Sequence, residues 1–133
     1  MAASRLWILI GAVSGALSVM TGAFGAHALR ERLTVRALEI YQTACHYQMV
    51  HALALVALGI WSTQLVQSNS TSSLTFAGWA GWAFTIGTII FSGSLYALAL
   101  TDIRILGAIT PFGGLGFIFG WIMIAVAAWK MPA

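Results

Sequence analysis

The run IYQTACHYQMVHALALVALGIWSTQLVQSNSTSSLTFAGWAGWAFTIGTIIFSGSLYALALT, residues 40–101, holds 62 residues without an Asp, Glu, Lys or Arg. A helix needs about 20 apolar residues to cross about 30 Å of hydrocarbon, so this run is too long for one span. Its most polar interruption is Gln67-Ser68-Asn69-Ser70-Thr71-Ser72-Ser73, a connector without charge. The run therefore reads as two spans. Outward from it, residues 6–29 and residues 105–129 are also uncharged, and each suits one further span. The expected helices are Leu6–Ala28, Thr43–Leu65, Leu74–Leu100 and Pro111–Trp129. They are helical because four short spans cannot close a barrel and unpaired backbone groups are costly in lipid. The predicted fold is all-α: an integral membrane bundle of four transmembrane helices. It forms a single domain over residues 1–133, with a short interfacial amphipathic segment between helices 1 and 2.

Composition excludes other classes. Charged residues make up 7% of the chain, against about 25% in soluble domains. A disordered chain would be far more polar. Six Lys and Arg against three Asp and Glu make no basic patch, so no nucleic-acid partner is expected. Arg5, an apolar run and Ala26-His27-Ala28 imitate a secretory signal, but the apolar run is too long for a signal core. Thr110-Pro111 is a good helix start, threonine as cap and proline at the first helical position. Ser72 or Ser73 suits the cap of helix 3.

The connector from Leu29 to Gln42 carries five of the nine charges, among them Arg30, Arg32 and Arg36. Leu29, Leu33 and Leu38 are interspersed. Such a segment, lying in the interface, seats its leucines at the lipid boundary and lifts its arginines to the headgroups. His27, Arg30, Arg32 and Arg36 are therefore candidate contacts to lipid headgroups or to a partner. An even number of spans puts this connector and residues 101–110 on one side. That side has the larger share of Arg, which favours it as cytoplasmic.

Small residues recur at helical spacing. Helix 1 carries Gly11, Gly15, Ser18, Gly22 and Gly25; helix 3 carries Gly78, Gly81, Thr85, Thr88 and Ser92; helix 4 carries Gly113, Gly116 and Gly120. Lipid offers helices no hydrophobic reason to meet, so close backbone approach must join them. The expectation is that helices 1 and 3 pack through these stripes within one chain. A seam used in a homo-oligomer or a larger complex is the competing reading. The six tryptophans read as anchors at the membrane interface.

Chemistry is sparse. Cys45-His46-Tyr47-Gln48-Met49-Val50-His51 is the most polar part of any span, and polar residues in a membrane raise a functional suspicion. Gln48 and His51 are three apart and share a face. Ser92, Ser94 and Tyr96 approach from the end of helix 3. The expectation is one intramembrane cluster of Gln48, His51, Ser92, Ser94 and Tyr96, with His51 neutral between one donor and one acceptor. His46 and His51 are about 140° apart around a helix, unsuited to one ion. Cys45 is the only cysteine, and nothing marks it as a nucleophile. No catalytic residue, cofactor or metal is expected.

Four blocks carry a resemblance. They are Gly22-Ala23-Phe24-Gly25-Ala26-His27-Ala28-Leu29, Tyr47-Gln48-Met49-Val50-His51-Ala52-Leu53-Ala54, Phe91-Ser92-Gly93-Ser94-Leu95-Tyr96-Ala97-Leu98-Ala99-Leu100, and Thr110-Pro111-Phe112-Gly113-Gly114 with Gly120-Trp121. In this order they resemble the YgdD-like family of small uncharacterised membrane proteins, which has bacterial and animal members. The resemblance implies a four-helix integral protein of the bacterial inner (plasma) membrane and implies no activity. Cys45 and His46 fall outside these blocks. The functional expectation is a non-enzymatic accessory, assembly or structural component of the membrane, with the bilayer and a larger membrane complex or a homo-oligomer as partners. The alternative is a small transporter or proton-linked permeation protein using the polar cluster around His51.

Overall fold

The structure is a computed structural model and describes residues 2–131. It contains α1 (Ala2–Phe24), continued by a π-helical stretch Gly25–Leu29, then α2 (Val35–Gln67), α3 (Thr71–Thr101) and α4 (Ile105–Trp129). All four are long and apolar enough to cross a membrane. At 1.5 Å per residue, the 33 residues of α2 reach about 50 Å, beyond the hydrocarbon at either end.

The helices overrun the expected boundaries, α2 through the mixed stretch 35–42, α3 through Thr71-Ser72-Ser73 and α4 through the mostly apolar stretch 105–110. The charged connector is not a separate interfacial helix. Residues 30–34 form a turn, and Arg36 and Glu39 lie in the opening turns of α2. Thr34 fixes that start, its hydroxyl accepting from the Ala37 N–H at 3.2 Å. Helix 4 begins at Ile105, not Pro111, which lies inside it. A proline deep in a helix forfeits a hydrogen bond, a loss that spanning helices tolerate when neighbours and threonines re-satisfy the backbone. Thr110 is therefore no cap; its hydroxyl pairs with Ser94 Oγ at 2.8 Å. Neither Ser72 nor Ser73 caps helix 3, which starts at Thr71.

The expected polar connector shrinks to three residues, 68–70, between α2 and α3. Asn69 is left-handed, at φ 51°. Its N–H donates to the Val66 carbonyl at 3.2 Å, and the Ser70 N–H donates to the Leu65 carbonyl at 3.0 Å. This nested pair closes the helix end. Asparagine tolerates the conformation and a β-branched side chain does not. Asn69→Val should thus lower stability by about 1–2 kcal/mol, while Asn69→Gly holds it. Unfolding in detergent with rising SDS fraction measures both; equal midpoints for the two variants would contradict the turn assignment.

Short connectors place consecutive helices side by side. α2 and α3 form the centre, α1 packs on α2, and α4 packs on α3. The expected seam between helices 1 and 3 does not form, because α1 and α3 each pack on α2 and meet one another only sparsely. A Cβ on Gly11 would lie 2.7 Å from the Ala52 carbonyl oxygen, and one on Gly59 would lie 2.7 Å from the Ser4 carbonyl oxygen. α1 and α2 therefore meet backbone to backbone. Gly15 makes an ordinary contact with Ala52. Gly25 receives the Tyr41 ring and Gly81 the Trp7 ring. Gly113 lies against the Phe91 backbone and Gly120 against the Phe84 ring, both joining α4 to α3. Gly22 and Gly78 have nothing within 4 Å of where a Cβ would sit, so neither is a close-packing position.

The core gathers Trp7, Leu55, Leu58, Leu65, Phe84 and Phe117. Trp7 is only 2% exposed, which corrects its reading as an interface anchor; Trp79, Trp82 and Trp129 remain exposed.

Candidate functional site

Gln48 and His51 belong to two separate networks rather than to one. The first lies among α1, α2 and α3, with Tyr96 as its hub. The Tyr96 hydroxyl donates to Gln48 Oε1 at 2.7 Å. Gln48 Nε2 in turn donates to the Ser14 carbonyl at 3.1 Å. A carbonyl can only accept, so this contact fixes the amide orientation. Thr21 Oγ1 lies 3.1 Å from the same tyrosine oxygen, and Cys45 Sγ lies 3.2 Å away. The single phenolic proton goes to the shortest partner, Gln48, leaving the tyrosine oxygen to accept from Thr21. Ser18 Oγ donates to the Cys45 carbonyl at 2.9 Å. Tyr41 donates to the Thr21 carbonyl at 2.9 Å where α1 widens into the π-helical stretch. Its ring meets that of Tyr96 edge-on, 5.0 Å between centroids.

The second network lies among α2, α3 and α4. His51 is 3% exposed and stacks on Phe117, with centroids 3.5 Å apart and planes at 7°. Phe84 also lies beside it, tilted at 56° with centroids 5.2 Å apart. Nδ1 lies 2.8 Å from the Tyr47 carbonyl, and the Trp121 indole N–H donates to Nε2 at 3.3 Å. A carbonyl requires a proton on Nδ1, and an indole N–H requires a bare Nε2. Both partners thus specify one neutral tautomer.

The expected single cluster of Gln48, His51, Ser92, Ser94 and Tyr96 is therefore corrected. Gln48 and Tyr96 meet. His51 instead faces Trp121 and Phe117 of α4. Ser92 donates to the Ala44 carbonyl at 2.8 Å, and Ser94 joins Thr110. Residues three apart are about 60° apart around a helix. With α1 and α4 on opposite flanks, that angle sends Gln48 to one and His51 to the other.

Sequence reasoning missed Thr21, Cys45, Ser18 and Tyr41 in the first network and Trp121 in the second. Trp121 carried a signal, ten residues inside the expected helix Pro111–Trp129 and eight from its end, too deep for a boundary anchor. His27, Arg30 and Arg32 are exposed at the end of α1 and in the following turn. Arg36 has a more specific setting: from the first turn of α2 it lines a pocket with Asp102 and Arg104 of the connector between α3 and α4. Among the described residues, no three His, Cys, Asp or Glu side chains gather as a metal site.

A family model described as a protein of unknown function, DUF423, matches residues 21–114. The UPF0382 membrane protein SH2409 of Staphylococcus haemolyticus is 47% identical over 126 residues, covering 95% of this chain and 97% of its own. The UPF0382 membrane protein SSP2132 of Staphylococcus saprophyticus is 45% identical over 127 residues, covering 96% of this chain and 99% of its own. The UPF0382 membrane protein YwdK of Bacillus subtilis is 44% identical over 126 residues, covering 95% and 98%. No solved structure matches.

Proposed function

The chain belongs to the DUF423 family of unknown function, and from that premise we propose that this integral membrane protein is a non-enzymatic accessory component. It works by packing and binding within the bacterial plasma membrane. The observation that supports this reading is the engagement of the polar side chains around Gln48 and His51, whereas Ser4, Ser73 and Thr88 are buried without a hydrogen-bond partner. Gln48, Tyr96, His51, Ser92 and Ser94 are hydrogen-bonded to one another's networks or to main-chain carbonyls. A catalytic acid, base or nucleophile must be free to exchange its proton or its electron pair with a substrate. These groups are tied to the scaffold.

Purification in mild detergent after cross-linking in native membranes tests the proposal. The expected result is a colourless protein in stoichiometric association with another membrane protein. A bound chromophore would overturn it. So would a lone oligomer that carries protons or small solutes across liposomes above the protein-free rate, which is the outcome the transport reading requires.

A further inference from the structure

A pocket of about 370 Å³ lies where the two connectors meet, beside the C-terminal end of α3. Thr34, Arg36, Asp102 and Arg104 supply its polar wall, and Ile40 and Leu98 its apolar one. Arg36 comes from the opening turn of α2, and Arg104 immediately precedes α4. Asp102 ends α3 in a left-handed conformation, at φ 56°. Its N–H donates to the Leu98 carbonyl at 2.9 Å, so the carboxylate stands on a closed helix end. Two arginines against one aspartate leave the pocket with a net charge of +1.

The surroundings locate this pocket at the membrane boundary. Val35 is 78% exposed, Ile103 52% and Ile105 68%. Large apolar side chains exposed around charged ones belong where hydrocarbon gives way to headgroups, with guanidiniums reaching the polar level.

We propose that this pocket holds the phosphate of a membrane phospholipid whose headgroup also carries a hydrogen-bond donor. The guanidiniums of Arg36 and Arg104 present planar N–H donors to the phosphate oxygens, the geometry arginine matches in pairs. Asp102 accepts from a headgroup hydroxyl or ammonium. Ile40 and Leu98 meet the start of the acyl chains. The positive pocket complements the negative phosphate, and its position at the boundary selects the lipid over a soluble phosphate. Arg30 and Arg32, on the turn outside this pocket, have no part in it.

The test is native mass spectrometry of the whole chain, released from micelles containing equal phosphatidylethanolamine and phosphatidylcholine. Wild type is expected to retain phosphatidylethanolamine, whose ammonium donates, over phosphatidylcholine, which has the same net charge and no donor. The double variant Arg36→Gln/Arg104→Gln should lower that retention roughly tenfold or more, the scale of losing charge-assisted contacts. Gly107→Glu should lower it without replacing either arginine, because Gly107 also lines the pocket and the added carboxylate competes with the phosphate. Arg30→Gln/Arg32→Gln should retain lipid as wild type does. Far-ultraviolet circular dichroism confirms that each variant keeps its helices. Equal retention by wild type and Arg36→Gln/Arg104→Gln would overturn the site, as would an equal loss in Arg30→Gln/Arg32→Gln. Equal retention of the two lipids would overturn the role of Asp102. Displacement of the lipid by excess inorganic phosphate would assign the pocket to a soluble anion and overturn the lipid reading.

Discussion

Gly113→Ala is expected to destabilise the protein by about 2–3 kcal/mol, although alanine is the better helix former. The added methyl would press on the Phe91 backbone, 2.8 Å from its Cα. A side chain could swing aside; a helix backbone cannot, so α4 must lift from α3. That movement also opens the neighbouring contact, where a Cβ on Gly116 would lie 3.3 Å from the Gly87 Cα. The same substitution at Gly78, which has nothing within 4 Å, should stabilise by about 0.5–1 kcal/mol through helix propensity alone. One chemical change thus gives opposite signs at two positions on adjoining helices. Unfolding in mixed micelles of rising SDS fraction reads both, and a Gly113→Ala midpoint at or above wild type would refute the close α3–α4 approach.

His51→Ala is expected to cost about 2–4 kcal/mol. It removes a ring stacked on Phe117, opens space beside the fully buried Phe84 and takes the acceptor from the Trp121 N–H. Combining it with Trp121→Phe isolates the hydrogen bond, for which a coupling of about 0.6–1.7 kcal/mol is expected in a membrane protein. Gln48→Leu provides the contrasting case. Gln48 and His51 are neighbours on α2 but share no hydrogen-bond partner, so the coupling between their losses should stay at the low end for adjacent residues, about 0.5 kcal/mol. A double variant much milder than the sum would return the two residues to a single cluster.

The residues differ in how far they could be read without the fold. Four spans follow from where charge is missing, since burying unpaired backbone or charge in lipid is costly anywhere in the chain. The ends are less legible. Val35–Gln42 continues α2, and Ile105–Thr110 opens α4, because helix propensity ignores the membrane boundary that the charge pattern marks. The glycine stripes announced close packing without naming the partner. Gly11 serves α2 and Gly113 serves α3, while Gly22 and Gly78 serve neither; a glycine at helical spacing carries no label for the surface opposite.

The candidate site divides along the same line. Gln48 and Tyr96 could be paired from sequence, since α2 and α3 are adjoining antiparallel spans with both residues toward one side. That His51 turns instead to Trp121, and that Arg36 shares a pocket with Asp102 and Arg104, depends on α4 lying on α3 and α1 on α2. Sequence alone determined the solvent of this protein, its helix number and the identity of its scarce polar groups, because the transfer of each residue into lipid is a local property. Tertiary structure alone decided which polar groups meet, because that depends on the flank each helix occupies, and a rotation of about 60° along one helix exchanges one neighbour for another.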